Sequence, residues 1–370
     1  MSLDDRTARA LLSGLAEPGE PAVVAAVARE GAAAVVDAVV AGDPALAGAP
    51  ALASRLSPAP AEQAAADLAR IAELGGAFLV PGDPGWPTQL DDLGPRRPLG
   101  VWVLGGADLR WAALRSVSVV GARAATSYGV GVAAELAAGL AERGWSVVSG
   151  GAYGVDAAAH RGALAVEGVT VAVLAGGVDV PYPRAHDALL ARVLDAGVVV
   201  SEVPPGSAPM RWRFLVRNRV IAALSRGTVV VEAAVRSGAL ATARDAGALD
   251  RQVMGVPGPV SSAMSQGVHG LLRDGAALVT SAADVIELVG AIGDDLAAPG
   301  LAPPQPRDAL PAETRRVLDA LPVRRPVGAD SVARVAGLAI TTVIAALAVL
   351  ELEGLAERTV DGWRVRRPPV

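Results

Sequence analysis

The stretch Met210-Arg-Trp-Arg-Phe-Leu-Val-Arg-Asn-Arg219 has a charge that contradicts the rest of the chain. The protein carries a formal net charge of −5, yet residues 203–231 hold five arginines and no acid, with Trp212 and Phe214 among them. Guanidinium forks fit phosphate oxygens and aromatic faces stack on unpaired bases, so this interleaving suits single-stranded nucleic acid. A solvated basic turn with two core aromatics has the same composition, and other parts of the chain must decide between the two.

Four glycine-bearing loops weigh toward the first reading. In Val120-Gly-Ala-Arg-Ala-Ala-Thr-Ser-Tyr-Gly129, a strand runs into a helix. Gly121 lets backbone N–H groups approach an anion, the helix start adds its positive end, and Arg123 adds a charged fork. In Ser149-Gly-Gly-Ala-Tyr-Gly-Val-Asp-Ala-Ala-Ala-His160, Gly150 and Gly151 expose N–H groups, and Asp156 and His160 share a helical face at i,i+4. That pair is either a metal or acid–base site, or a loop-ordering aspartate with a packed histidine; the absence of a third ligand favours the latter. Ala175-Gly-Gly-Val-Asp-Val-Pro-Tyr-Pro183 is a rigid turn that presents Tyr182, and Ala234-Val-Arg-Ser-Gly-Ala-Leu-Ala-Thr242 offers Ser237 and Gly238 to a phosphate. Together with Arg217, Asn218 and Arg219 at a helix start, these loops predict a long phosphate-lined groove.

The elements that must position them are legible as periodic patterns. Apolar runs at 117–120, 147–149, 170–174, 198–201, 228–231, 252–256 and 277–280 alternate with helical segments. That is the rhythm of a Rossmann-like, doubly wound, mostly parallel α/β sheet, whose strands are buried on both faces. Ligands of such sheets bind outside the carboxyl ends of the strands. Residues 1–75 read as a small helical domain with a packing or docking role, and 76–290 as the core, its proline-rich start covering a sheet edge. Residues 291–312 read as a linker, and 313–367 as a winged helix turning on Asp361-Gly362. Its recognition helix offers only Thr341 and Thr342 as polar starters, so it suits docking or packing better than base reading.

Composition removes several functions. There is no cysteine, only three histidines, and every one of the 33 basic residues is arginine, because lysine is absent. Disulfides, thiol catalysis, cysteine-held zinc, the Walker loop and Schiff-base chemistry all go with those side chains. The dinucleotide Gly-x-Gly-x-x-Gly spacing is missing, and Ser149-Gly150 stands where an acid would take a ribose hydroxyl. Asp4 and Asp5 near the start argue against a signal peptide, and the apolar run 338–350 is too short for a bilayer. The expectation is a soluble cytoplasmic protein, not an enzyme, with no catalytic residue, metal, cofactor or membrane partner.

Taken jointly, the motifs are specific. Gly121-Ala-Arg123, the 149–160 loop, Tyr182-Pro183, Ser201-Glu-Val-Pro-Pro-Gly206 and Phe214 with Arg217-Asn-Arg219 resemble, in order and spacing, the DNA-processing DprA (Smf) family. Val231-Glu-Ala233, Ser237-Gly-Ala-Leu240, Val256-Pro-Gly258 and Asp274-Gly-Ala276 continue the likeness, which covers about residues 79–290. Leu215 replaces the family's usual proline, and His269 stands where asparagine is usual. The resemblance implies a dimeric binder of single-stranded DNA that loads the RecA recombinase in natural transformation. It further implies that Arg123, Arg217 and Arg219 hold phosphates and Phe214 stacks a base, while Ser149, Gly150, Gly151, Ser237 and Gly238 line the groove. A nucleotide-hydrolysing phosphoribohydrolase of the same Rossmann variant is the alternative. Thr242 is followed three residues later by an acid, Asp245, but the glycines of that motif are missing. A transcription regulator acting through the winged helix is a third reading, opposed by its apolar recognition helix.

Overall fold

The computed structural model describes residues 3–43, 49–291 and 310–366. The chain forms two compact units, Met1–Ala297 and Ala298–Val370. The finer limits read from the sequence stand as our proposal for the domains, and most of 291–312 lies outside the described residues.

The first unit is organised by valine. Strands β3 (Ser116–Val120), β4 (Ser146–Ser149), β5 (Thr170–Val173), β6 (Val198–Ser201) and β7 (Gly227–Val230) are buried along their whole length. β8 (Gln252–Gly255) and β9 (Ala277–Leu278) extend them, and these seven strands are parallel to one another. Two short strands, β1 (Ala77–Leu79) and β2 (Val101–Leu104), add to the far edge antiparallel, β2 lying against β6. The full order is β1-β2-β6-β5-β4-β3-β7-β8-β9. From β3 the chain winds outward to β6, then crosses back to lay β7 on the other side of β3. The order therefore reverses between β3 and β7, and the loops leaving those two strands part to open a crevice. In register, Val120 is beside Val230, so both loops start at the same level.

Alternation along the strands fills both faces. Val120, Val148 and Val230 enter one apolar cluster, and Val117, Val119, Val147 and Val229 the other. Among the described residues five helices precede the sheet or cover its edge: α1 (Asp5–Leu15), α2 (Pro21–Glu30), α3 (Ala32–Ala41), α4 (Ala49–Ala53) and α5 (Pro60–Glu73). Eight more belong to the winding: α6 (Leu109–Leu114), α7 (Ser127–Ala141), α8 (Val155–Ala165), α9 (Asp187–Ala196), α10 (Arg213–Leu224), α11 (Ala239–Ala248), α12 (Gln266–Arg273) and α13 (Ala282–Val289). Because the helices are alanine-rich they approach closely; at Gly162 of α8 a side chain would run into the Ala134 carbonyl of α7. The first helices are clipped to the core by polar contacts. Trp102 Nε1 donates to Ser13 Oγ at 3.2 Å, and Arg6 pairs with Asp83 at 2.8 Å.

The second unit has α14 (Ala312–Ala320), α15 (Ala329–Ala336), α16 (Ile340–Leu352) and the hairpin β10 (Ala356–Thr359) and β11 (Gly362–Val365). Gly337, with φ of 63°, supplies the left-handed turn between α15 and α16, which bend through 106°. Val317, Val332, Val343, Leu347 and Leu350 make its core. Helix, helix, turn, helix and hairpin follow the winged-helix layout read from the sequence. Among the described residues no single helix is long and apolar enough to cross a membrane.

Candidate nucleic-acid interface

At the β3/β7 crevice lies a cavity of about 790 Å³. The loop after β3 contributes Gly121 and Arg123, the loop after β7 contributes Arg236, Ser237 and Gly238, and α10 with its approach contributes Arg211, Phe214, Arg217 and Asn218. Tyr182 reaches in from the loop after β5. Eight of the twelve residues singled out in the sequence thus meet here: Gly121, Arg123, Tyr182, Phe214, Arg217, Asn218, Ser237 and Gly238.

Helical spacing explains what α10 shows the cavity. Phe214, Arg217, Asn218 and Ile221 fall at i, i+3, i+4 and i+7, one stripe of the helix, and all four line it. The Arg123 guanidinium lies over the Phe214 ring at 5.0 Å from its centroid, and Tyr182 flanks the same ring at 5.4 Å. Aromatic wall and cation are held together before any ligand arrives. Asn218 Nδ2 donates to the Gly238 carbonyl at 3.2 Å, fixing α10 against the start of α11. That start has no acid in its first turn, and Ser237 Oγ accepts from Ala239 N at 3.3 Å.

Arg217 forms the floor. Its side chain is buried, donating to the Gly150 carbonyl at 2.8 Å and to the Val173 carbonyl, while Nε has no partner. Burial, reinforced by Arg123, lowers its pKa to about 10 against the opposing pull of Asp156, so the group stays cationic at neutral pH. Burial raises the Asp156 carboxyl above its usual range, Arg217 and two backbone N–H groups opposing the shift.

Four expected residues take no place in the cavity. Arg219 is fully buried: both of its terminal nitrogens donate to Glu202 at 2.6 Å, and Nε donates to the Arg96 carbonyl at 2.8 Å. It is a structural ion pair and holds no phosphate. Ser149 is also fully buried, its Oγ donating to Val119 O at 2.7 Å. Gly150 and Gly151 are buried behind Arg217; at Gly150 a Cβ would stand 2.6 Å or less from the guanidinium nitrogens, so glycine is needed there for the arginine. All four glycine loops therefore reach the groove beside α10, but the 149–160 loop does so through Ala152 and Asp156 and not through Ser149, Gly150 or Gly151, and the 175–183 loop through Tyr182.

A second correction concerns the start of α7, expected to present its positive end to an anion. The buried Glu232 carboxylate sits there, accepting from Thr126 N at 2.8 Å and from Thr126 Oγ1 at 2.6 Å. Trp212 also departs from its expected role. Its Nε1 donates to Glu17 at 3.0 Å, as does Arg213 Nε, so this part of the basic run fastens the first helices to the core. Arg211 and Arg236 take their place in the lining; both stood in stretches quoted from the sequence, yet nothing in their spacing distinguished them.

Asp156 and His160 do not form a site together. Asp156 accepts from Ala152 N at 3.4 Å within its own loop, whereas His160 Nδ1 meets Thr170 Oγ1 at 2.7 Å and Nε2 has no partner. Among the described residues no acidic or histidine cluster could hold a metal. Burial drives the His160 pKa down to about 3, with Arg217 and His186 adding to the effect. Since the folded value lies below the unfolded one, acid protonates the unfolded chain first. Stability should fall by up to about 1.4 kcal/mol per pH unit between about pH 6.5 and about pH 3. Urea midpoints at several pH values should show this limb flattened in His160→Gln; an identical slope would remove His160 as its cause.

Comparisons with known proteins follow this geometry. A family model described as DNA recombination-mediator protein A matches residues 77–290, and one described as the DprA winged helix domain matches residues 301–362. A DNA processing protein DprA of Mycobacterium tuberculosis is 50% identical over 316 residues, covering 83% of this chain and 81% of that protein. Among solved structures, DNA processing protein A from Streptococcus pneumoniae aligns with a TM-score of 0.60 at 30% identity, over 78% of this chain and 98% of that one. DNA processing protein A from Helicobacter pylori, described for its single-stranded DNA binding mode, aligns with a TM-score of 0.51 at 27% identity, over 57% and 94%.

Proposed function

Since this chain belongs to the DprA (Smf) family of DNA recombination mediators, we propose that its crevice is where single-stranded DNA lies. The observation that carries the reading is the grouping of Arg123, Arg211, Arg217 and Arg236 around the Phe214–Tyr182 wall. Arginines neutralise phosphates without regard to sequence, and an aromatic face accepts any base. Duplex DNA has its bases stacked and cannot use that wall. Gly121, Asn218, Ser237 and Gly238 complete the contact set, and the work done is binding, not catalysis.

By the family's pattern the protein acts in the cytoplasm as a homodimer that protects incoming strands and loads RecA on them in natural transformation. The hydrolase alternative gains nothing. Asp245, the acid three residues after Thr242, is ion-paired with Arg96 at 3.0 Å.

Fluorescence anisotropy with single- and double-stranded oligonucleotides at several salt concentrations tests the proposal. Four neutralised phosphates give a log–log salt slope of about −2.8 on a single strand. Arg123→Ala should weaken binding alike for all sequences and make the slope shallower by about 0.7. Equal affinity for duplex, or an unchanged slope in the variant, would sink the assignment.

A further inference from the structure

The C-terminal unit leaves uncovered an apolar face that its own fold does not use. Helix α16 buries Val343, Ala346, Leu347 and Leu350. Its other side exposes Ile340, Thr341, Ile344, Ala345, Ala348 and Leu352, which at 100° per residue share an arc of about 140°, with Glu351 in the same arc at its C-terminal end. Leu352 is 88% exposed, Ile344 56%, and Val335 in the last turn of α15 70%. Single exposed apolar residues need no explanation, but a contiguous set on one helix marks a contact surface. A helix that reads a DNA groove needs Arg, Asn or Gln on this face, and none is there.

The charges at its two ends indicate the occupant. Arg334 lies in the last turn of α15, ahead of the N-terminal end of α16, and Glu351 lies near the C-terminal end. Both are exposed, and neither has a partner among the described residues. We propose that this face docks on the same face of a second copy of the chain, the two α16 helices running antiparallel about a twofold axis. An isologous contact of that kind brings each Arg334 toward the other copy's Glu351, whereas a parallel one sets like charges together. Ala345 and Ala348, near the middle of the helix, let the axes approach. The larger Ile340 and Ile344 toward one end meet Leu352 at the other. The recognition helix is thereby covered by its twin and withdrawn from duplex DNA. This contact is independent of the crevice; where chains also pair through the first unit, it joins pair to pair.

Because the chain contains no cysteine, the full-length protein allows a direct test. Ala348→Cys places one thiol near the proposed axis, and mild oxidation should link two chains through it. Val360→Cys, at the fully exposed tip of the hairpin, should link far less. In the Ala348→Cys background, Arg334→Glu or Glu351→Arg should each weaken association about five- to tenfold, and the two together should restore it. Single-stranded DNA binding, read in the same samples, should stay unchanged, so failure here and failure of the crevice reading are told apart. Equal linking at positions 348 and 360, or no recovery in the double reversal, would overturn the proposal. Sedimentation of the parent chain with phosphatidylglycerol vesicles, lost on Ile344→Glu, would also overturn it by assigning the face to lipid.

Discussion

Arg219→Ala should cost about 3–5 kcal/mol of folding stability, seen as a large fall in the urea midpoint, with no loss of phosphate contacts. The side chain is completely buried and bonded through both terminal nitrogens to Glu202, itself only 8% exposed. Truncating the arginine leaves a carboxylate in a low-dielectric interior with nothing to balance it. Glu202→Ala should be comparably damaging for the mirror-image reason. Replacing both at once, as Arg219→Met with Glu202→Leu, should recover much of the loss, since an apolar pair needs no desolvation of charge. At temperatures where Arg219→Ala remains folded, its salt slope for single-stranded DNA should equal the parent's. A variant that is as stable as the parent but binds DNA with a shallower slope would return Arg219 to the groove.

Phe214→Ala should lower single-strand affinity by about 1–3 kcal/mol, roughly five- to 150-fold, and leave the salt slope alone. The ring contacts no phosphate in this scheme, so its loss removes stacking without changing the number of counterions released. Part of the effect should come through Arg123, whose guanidinium rests 5.0 Å from the ring centroid and loses its support. Phe214→Trp should keep most of the affinity, because any flat aromatic face serves. Anisotropy titrations across salt separate this from Arg123→Ala, where the slope itself changes. If Phe214→Ala bound as tightly as the parent, the aromatic wall would be only packing, and the crevice a plain basic cleft.

The sheet was readable from its valine runs because strands buried on both faces leave an unmistakable apolar signature. Six of the seven expected strand cores recur with shifts of one residue at most at either end; the run at 277–280 shortens to Ala277–Leu278. Arg219 was misread for a reason that helical geometry already contains. Residues two apart on α10 point about 200° away from each other, so Arg217 and Arg219 could not both face one crevice. The partner that claims Arg219, Glu202, follows β6, three strand positions from β3 at the crevice, and Glu232 follows β7. Which helix or side chain each acid meets depends on strand order, and no local pattern in the chain encodes that order. Arg236 and Arg211 were missed for the converse reason. Exposed arginines carry no periodic mark, and only the three-dimensional lining separates them from the other basic side chains.

Glu232 also bears on what this protein ignores. In related nucleotide-binding folds the amides at the head of the first crossover helix take a cofactor's pyrophosphate. Here a resident carboxylate has already claimed the Thr126 amide and hydroxyl at that spot. A second anion arriving there would meet like charge at hydrogen-bonding distance and find those donors taken. Mononucleotides and dinucleotides that depend on this one seat should therefore bind weakly, which titration with a nucleoside monophosphate checks. A polymer, gripped by several guanidinium groups at once, loses nothing. On the proposed function, a built-in tenant at one helix end would leave a cofactor scaffold free for long strands.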